Sequence, residues 1–205
     1  MKKEDCIFCN YESIKEDILW ESENFFVKVG VGVLSPGHVM LITKKHLICF
    51  AELPVFLHEE FLTLKGKIAE KISSSFSKPI IYEHGIYSQS VRHAHIHFVP
   101  SETEFYRLEG IKEAFNYLKS ERVQDTLEIK NIYKKDKSYF YLEENGFKWI
   151  LQTKGLPEKE YDFRKEFAKL TGLHGLADWQ KMREEEKCRN EEWVNITKNV
   201  LKELK

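Results

Sequence analysis

The twelve residues QSVRHAHIHFVP, positions 89 to 100, constrain the fold more than any other part of the chain. His93, His95 and His97 alternate with Ala94, Ile96 and Phe98. Period-two alternation belongs to a half-buried β-strand, whose successive side chains point to opposite faces. The pattern predicts a strand over 93–99, with Ala94, Ile96 and Phe98 against a core. The three imidazoles then share the other face, about 6–7 Å apart. One histidine on a polar face needs no explanation. Three in register differ, because each titrates near neutral pH and repels its protonated neighbours. The residues alone leave three uses open: an inert hydrogen-bonded row, a metal site, or nucleophilic and acid–base chemistry.

The surroundings predict an α+β unit over residues 1–100. Residues 25–43, FFVKVGVGVLSPGHVMLIT, read as two strands joined at Ser35-Pro36-Gly37. Pro54 opens a helix, and Leu57, Phe61, Leu64, Ile68, Ile72 and Phe76 recur at the spacing of one buried stripe. PIIYE, residues 79–83, is a further strand. From 101 to 205 the pattern predicts a mainly helical C-terminal extension packed on the first unit, with one continuous domain as the alternative. A helix is expected over 103–122, a hairpin over 138–153 turning at Asn145-Gly146, and charged helices from about Lys159. The run KMREEEKCRNEEW reads as a solvated helix face.

A hydrophobic fraction of 42% supports a packed core, and a net charge of −1 gives no global field toward nucleic acid or membrane. No apolar run approaches the roughly 20 residues that span a bilayer. MKKEDCIFCN forms no apolar signal core, so a soluble cytoplasmic protein without membrane attachment is expected. Cys6 and Cys9 form a C-x-x-C, a metal half-site or a redox pair, whereas Cys49 and Cys188 read as packing or surface residues. Of eight histidines only His174 lies beyond residue 100, which puts the chemistry in the first half.

QSVRHAHIHFVP resembles the signature of the histidine-triad (HIT) superfamily, His-φ-His-φ-His-φ-φ, where φ is apolar. LSPGHVMLITKKHL, residues 34–47, resembles that family's Pro-x-Gly-His strand and Lys-x-His element, and CIFC resembles its Cys-x-x-Cys opening. All three stand in the family's order at about its spacing, over residues 6–100. The resemblance implies an antiparallel HIT-like sheet with helices and a nucleotide-binding hydrolase that cleaves at an α-phosphate. The conjugate would be a dinucleoside polyphosphate or a nucleoside phosphoramidate, usually of a purine. His95 matches the nucleophile that becomes a nucleotidyl-histidine, with the His93 carbonyl accepting its other ring N–H. His97 matches the histidine that contacts phosphate and assists the leaving group; His93 completes the triad. Gln89 and Ser90 match uncharged phosphate ligands. Cys6, Cys9, His46 and His93 match a structural Zn2+ set, and the catalytic step itself needs no metal. His38 reads as support for the sheet, His58 as inert, and His84 as a residue that either lines the pocket or stands beside it.

Alternatives of other classes stay open: a non-catalytic module holding a nucleotide or nucleic-acid end, or a nucleotidyltransferase. Nucleic acid has only Arg92, Lys44 and Lys45 near the motifs to favour it. Retention of His97, where the transferase branch typically has glutamine, argues for hydrolysis. The chain departs from its resemblance at Tyr87 and Ser88, where glycines are usual, and in its extension. Trp149 and Trp179 are expected to pack that extension on the core, and Arg164 to lie on the surface, with a phosphate or base contact as the alternative. A homodimer, or a pseudo-dimer within one chain, are both compatible with the pattern.

Overall fold

The computed structural model describes residues 5–30, 32–156 and 162–202. The chain runs α1 (Tyr11–Ile14), β1 (Ile18–Glu21), β2 (Phe25–Val29), β3 (Val39–Thr43), α2 (His58–Ser75), β4 (Pro79–Gly85) and β5 (His95–Pro100). It continues through β6 (Glu102–Thr103), β7 (Tyr106–Arg107), α3 (Ile111–Ala114), β8 (Ser120–Val123) and α4 (Ile129–Asp136). The hairpin β9 (Tyr139–Glu144) and β10 (Phe147–Leu151) follows, then α5 (Phe163–Thr171) and α6 (Glu184–Leu201). The architecture is α+β. Among the described residues, no helix is long and apolar enough to cross a membrane.

One antiparallel eight-stranded sheet organises the molecule, in the order β1-β2-β3-β5-β4-β9-β10-β8. Both strands flanking the Ser35-Pro36-Gly37 turn form, and Val27 faces Leu41 across them. The hairpin turns at Asn145 and Gly146, both at positive φ (53° and 83°), as a two-residue turn requires. Its first strand pairs with β4, Tyr82 opposite Leu142, so the sheet passes without a break from the first hundred residues into the extension.

Two apolar cores cover the two faces. α2 lays Phe61, Leu64, Ile68 and Ile72 over Val27, Leu41, Ala94, Ile96 and Phe98. On the other face Tyr82, Val99, Phe140 and Leu142 meet Phe115, Phe163, Phe167 and Trp193 from the extension. The predicted inward set of the histidine strand is therefore buried.

Four expectations are corrected. The run from Lys181 to Trp193 is not a wholly solvated face: Trp193 is fully buried in the second core and Glu186 is buried too. The strand begins at His95, not His93. Bonds from His93 N–H to the Val91 carbonyl and Ala94 N–H to the Leu47 carbonyl hold the preceding residues in a turn, so His93 leaves the row. Residues 103–122 form short strands and one four-residue helix, because Gly110 sits in the left-handed region (φ 71°) midway along. Tyr106, Leu108, Phe115 and Leu118 are buried all the same, from short strands and folded loop. Arg164 is not a surface residue; it lines the cavity described below. The expected helical start at Lys159 lies outside the described residues.

Candidate active site

His95 opens β5 and is buried, Phe8 standing edge-on to its ring at 5.3 Å. Its Nδ1–H donates to the His93 carbonyl at 2.5 Å. A neutral imidazole carries one proton; with that proton on Nδ1, the lone pair of His95 is on Nε2. Burial pushes the His95 pKa down to about 4, which keeps that nitrogen unprotonated at neutral pH.

His97 has the opposite tautomer. Leu34 N–H donates to His38 Nδ1 at 3.0 Å, so neutral His38 bears its proton on Nε2. That Nε2–H points at His97 Nδ1, 3.0 Å away. His97 Nδ1 is thus an acceptor, and its own proton sits on Nε2. Burial pushes His38 down to about 3 and His97 well below its ordinary value, so the chain of neutral rings persists at physiological pH. Tyr82 clamps the arrangement, stacked on His97 at 4.3 Å and on Phe163 of α5 at 3.7 Å. A bare nitrogen and an N–H donor stand side by side, with ring centroids 4.9 Å apart. Chemically that is a nucleophile beside a hydrogen-bond donor.

Both rings line a cavity of about 530 Å3, together with His84, Ser88, Gln89 and Ser90. His84 Nδ1 meets the Tyr87 carbonyl at 3.2 Å. Gln89 uses its NH2 on the Ile48 and His93 carbonyls, at 2.9 and 3.3 Å, and so helps position the carbonyl that orients His95. Ser88 takes the left-handed conformation (φ 58°) at a position where the resemblance expects glycine, and Tyr87 is buried beside it. The extension supplies the opposite wall with Asp162, Arg164, Asp178, Trp179 and Lys181. Gly32 makes room for Trp179, since a Cβ there would collide with the tryptophan's own Cβ. His58 stands apart, bonded to Lys130 and the Leu53 carbonyl. The cavity role of His84 had only a weak sequence signal. The sequence offers a phosphate or base contact at Arg164 only as the lesser alternative, and the cavity role of Trp179 has no sequence signal beyond residue type.

His93 turns its ring away from the cavity. Its Nε2–H donates to the Thr43 carbonyl at 2.6 Å, which leaves Nδ1 free of a proton. Nδ1 faces Cys6 Sγ at 3.3 Å and Cys9 Sγ at 3.6 Å, while Cys9 Sγ lies 3.2 Å from His46 Nδ1. The donor atoms of Cys6, Cys9, His46 and His93 all fall within 4.8 Å of one another. Tetrahedral zinc with two sulfur and two nitrogen ligands has S–N edges of about 3.5 Å. Ligand chemistry, spacing and the tautomer fixed by Thr43 all fit that ion.

Residues 12–104 match the family model of the HIT domain. No curated protein sequence matches the chain. Among solved structures, one similar chain is described as a hypothetical histidine triad nucleotide-binding protein from Sulfolobus tokodaii. It is 14% identical, with 97% of this chain and 93% of that one covered and a TM-score of 0.45. A zinc-bound histidine triad family protein from Mycobacterium smegmatis is 21% identical over 53% of this chain and 85% of that one, at a TM-score of 0.43. A HIT family hydrolase from Clostridium thermocellum is 24% identical over 49% and 94%, at 0.40.

Proposed function

We propose that the chain, whose residues 12–104 match the HIT-domain family model, is a nucleotide hydrolase working through a nucleotidyl intermediate on His95. The observation that carries this reading is the His95 Nδ1–His93 carbonyl bond, which leaves Nε2 as the attacking atom. In the first step Nε2 attacks the α-phosphorus and the bond to the leaving group breaks, its electron pair departing with that group; a phosphate leaves as its anion, and an amine takes a proton from solvent as it departs. The His97 Nε2–H stands beside the reacting centre to hydrogen-bond the bridging atom. In the second step water attacks the same phosphorus and the N–P bond breaks. Its electron pair returns to Nε2, and the proton of the water is released to solvent. One difficult displacement becomes two easier ones. The substrate is a nucleotide conjugate, a dinucleoside polyphosphate or a nucleoside phosphoramidate, with a purine as the expected base.

Cys6, Cys9, His46 and His93 would hold a structural zinc ion, which ties the N-terminal segment to the turn carrying the His93 carbonyl. No catalytic role is assigned to the ion.

The test is AMP release from diadenosine triphosphate and from adenosine 5′-phosphoramidate by wild type and by His95→Asn. Turnover by wild type and a loss of at least 10³-fold in the variant are expected for removal of a nucleophile. Turnover retained by His95→Asn contradicts the reading.

A further inference from the structure

Arg164 lines the cavity, and no acid among the described residues forms a direct ion pair with its guanidinium. It stands near the start of α5, and two edges of its guanidinium are tied to backbone. Nε donates to the Leu176 carbonyl at 3.0 Å and Nη1 to the Gly32 carbonyl at 2.5 Å. These carbonyls come from separate loops, one in the HIT domain and one in the extension, and together they fix the plane of the group. Nη2 is buried from solvent and has no hydrogen-bond partner among the described residues.

The two nearby carboxylates are engaged locally. Asp162 accepts the backbone N–H of Arg164 itself at 2.8 Å as the helix cap. Asp178 accepts Gln180 N–H at 3.1 Å and lies 3.3 Å from Lys181 Nζ. A desolvated guanidinium bonded only to neutral carbonyls is costly unless an anion completes it. Its five-donor fork suits a phosphate, which accepts bonds along an edge. Burial is the main cause that holds His38 and His97 neutral, and the guanidinium adds to it, so its field reaches the reacting side of the cavity; at His84 the Asp162 carboxylate opposes it.

We propose that Arg164, carried by the C-terminal extension, binds a phosphate on the departing half of the substrate, and so makes the site selective for phosphate-bearing leaving groups over neutral amines. This rests on the hydrolase reading above. The chemistry is then specific: the α-phosphorus–oxygen bond breaks, the electron pair leaves on the phosphate oxygen, and Arg164 holds that phosphate as its charge grows. A phosphate anion departs without first taking a proton, whereas the phosphoramidate nitrogen must be protonated to leave as ammonia.

The experiment compares kcat/KM for diadenosine triphosphate and adenosine 5′-phosphoramidate in wild type, Arg164→Met and Arg164→Lys. Both substrates pass through the same nucleotidyl intermediate, so the ratio of the two values isolates the leaving group. Arg164→Met should lower the ratio at least tenfold, and Arg164→Lys, which keeps the charge but loses the fork, about threefold. Equal losses on both substrates would overturn the proposal, since a merely structural arginine cannot choose between leaving groups. If Arg164→Met fails to fold, Arg164→Lys decides, and an unchanged ratio there overturns it. If wild type hydrolyses neither substrate, the hydrolase reading fails by itself. Calorimetry with inorganic pyrophosphate then tests the subsite. Binding weakened at least tenfold in the variant supports it, and equal or absent binding in both proteins refutes it.

Discussion

His38 Nε2 lies 3.0 Å from His97 Nδ1, although 59 residues separate them in the chain. Because Leu34 N–H occupies the other nitrogen of His38, the direction of this bond is fixed and so is the tautomer of His97. His38→Gln is close in volume but places no ring nitrogen opposite His97 Nδ1, and so removes the fixed donor. It should lower kcat about 100-fold, the scale of a misplaced proton or donor, while AMP affinity changes only a few-fold. Steady-state kinetics and equilibrium binding of AMP check this; an unaltered kcat would mean that His97 finds its tautomer without His38.

The four-ligand cluster predicts one zinc per chain. Elemental analysis of metal-replete protein should give that ratio, and Cys6→Ser should reduce it. Chelation should lower the melting temperature, because a closed site of this kind contributes directly to folding. A replete protein without bound zinc would count against the assignment.

Glu83 gives a pH dependence that is independent of the metal and of the triad. It is fully buried on β4, accepts Phe50 N–H at 2.8 Å and the Tyr139 hydroxyl at 2.7 Å, and lies against Cys49. Burial pushes its pKa up to about 7 from the ordinary 4.5. The native state therefore holds a proton that the unfolded chain releases between those values. The contribution to stability is complete below about pH 4.5 and is lost as pH rises through 7. The shift corresponds to on the order of 3 kcal/mol at 1.36 kcal/mol per unit. Glu83→Gln keeps one acceptor for Phe50 N–H and cannot ionise, so urea unfolding at pH 5 and pH 8 should show a flatter dependence than wild type. Parallel curves would rule Glu83 out as the source.

The edge of β4 that pairs with β9 predicts how the chain behaves without its extension. Residues 1–104 alone would expose that edge from Ile81 to Gly85 and the apolar face of Ile80, Tyr82 and Val99. Unpaired edges of this kind recruit other strands. Size-exclusion chromatography of this fragment should show dimers or larger species. A folded, monomeric fragment would show that the extension is dispensable for covering the sheet.

Local chemistry made much of this fold legible. Asn145-Gly146 can serve a tight hairpin, and the inward set Ala94, Ile96 and Phe98 announced its strand by period alone. The metal cluster was legible through resemblance, four ligands of the right type at recognisable spacings. Elsewhere the spacing misled. Leu108, Ile111, Phe115 and Leu118 recur like one face of a helix, yet Gly110 turns the chain after Leu108 and only Ile111 reaches the core from a helix, the four-residue α3. His38 and Arg164 were under-read for a shared reason. Each acquires its role from a distant partner, His97 in one case and the carbonyls of Gly32 and Leu176 in the other, and no local pattern records such a meeting.

The central claim is that His95 Nε2 forms a covalent bond to the α-phosphorus. Its most direct test is acid-free rapid quenching of wild type with diadenosine triphosphate, followed by intact mass and peptide mapping. The account predicts a transient adduct of one AMP on the peptide containing His95, absent from His95→Asn. Turnover with no adduct at any quench time, or an adduct on another residue, would contradict it.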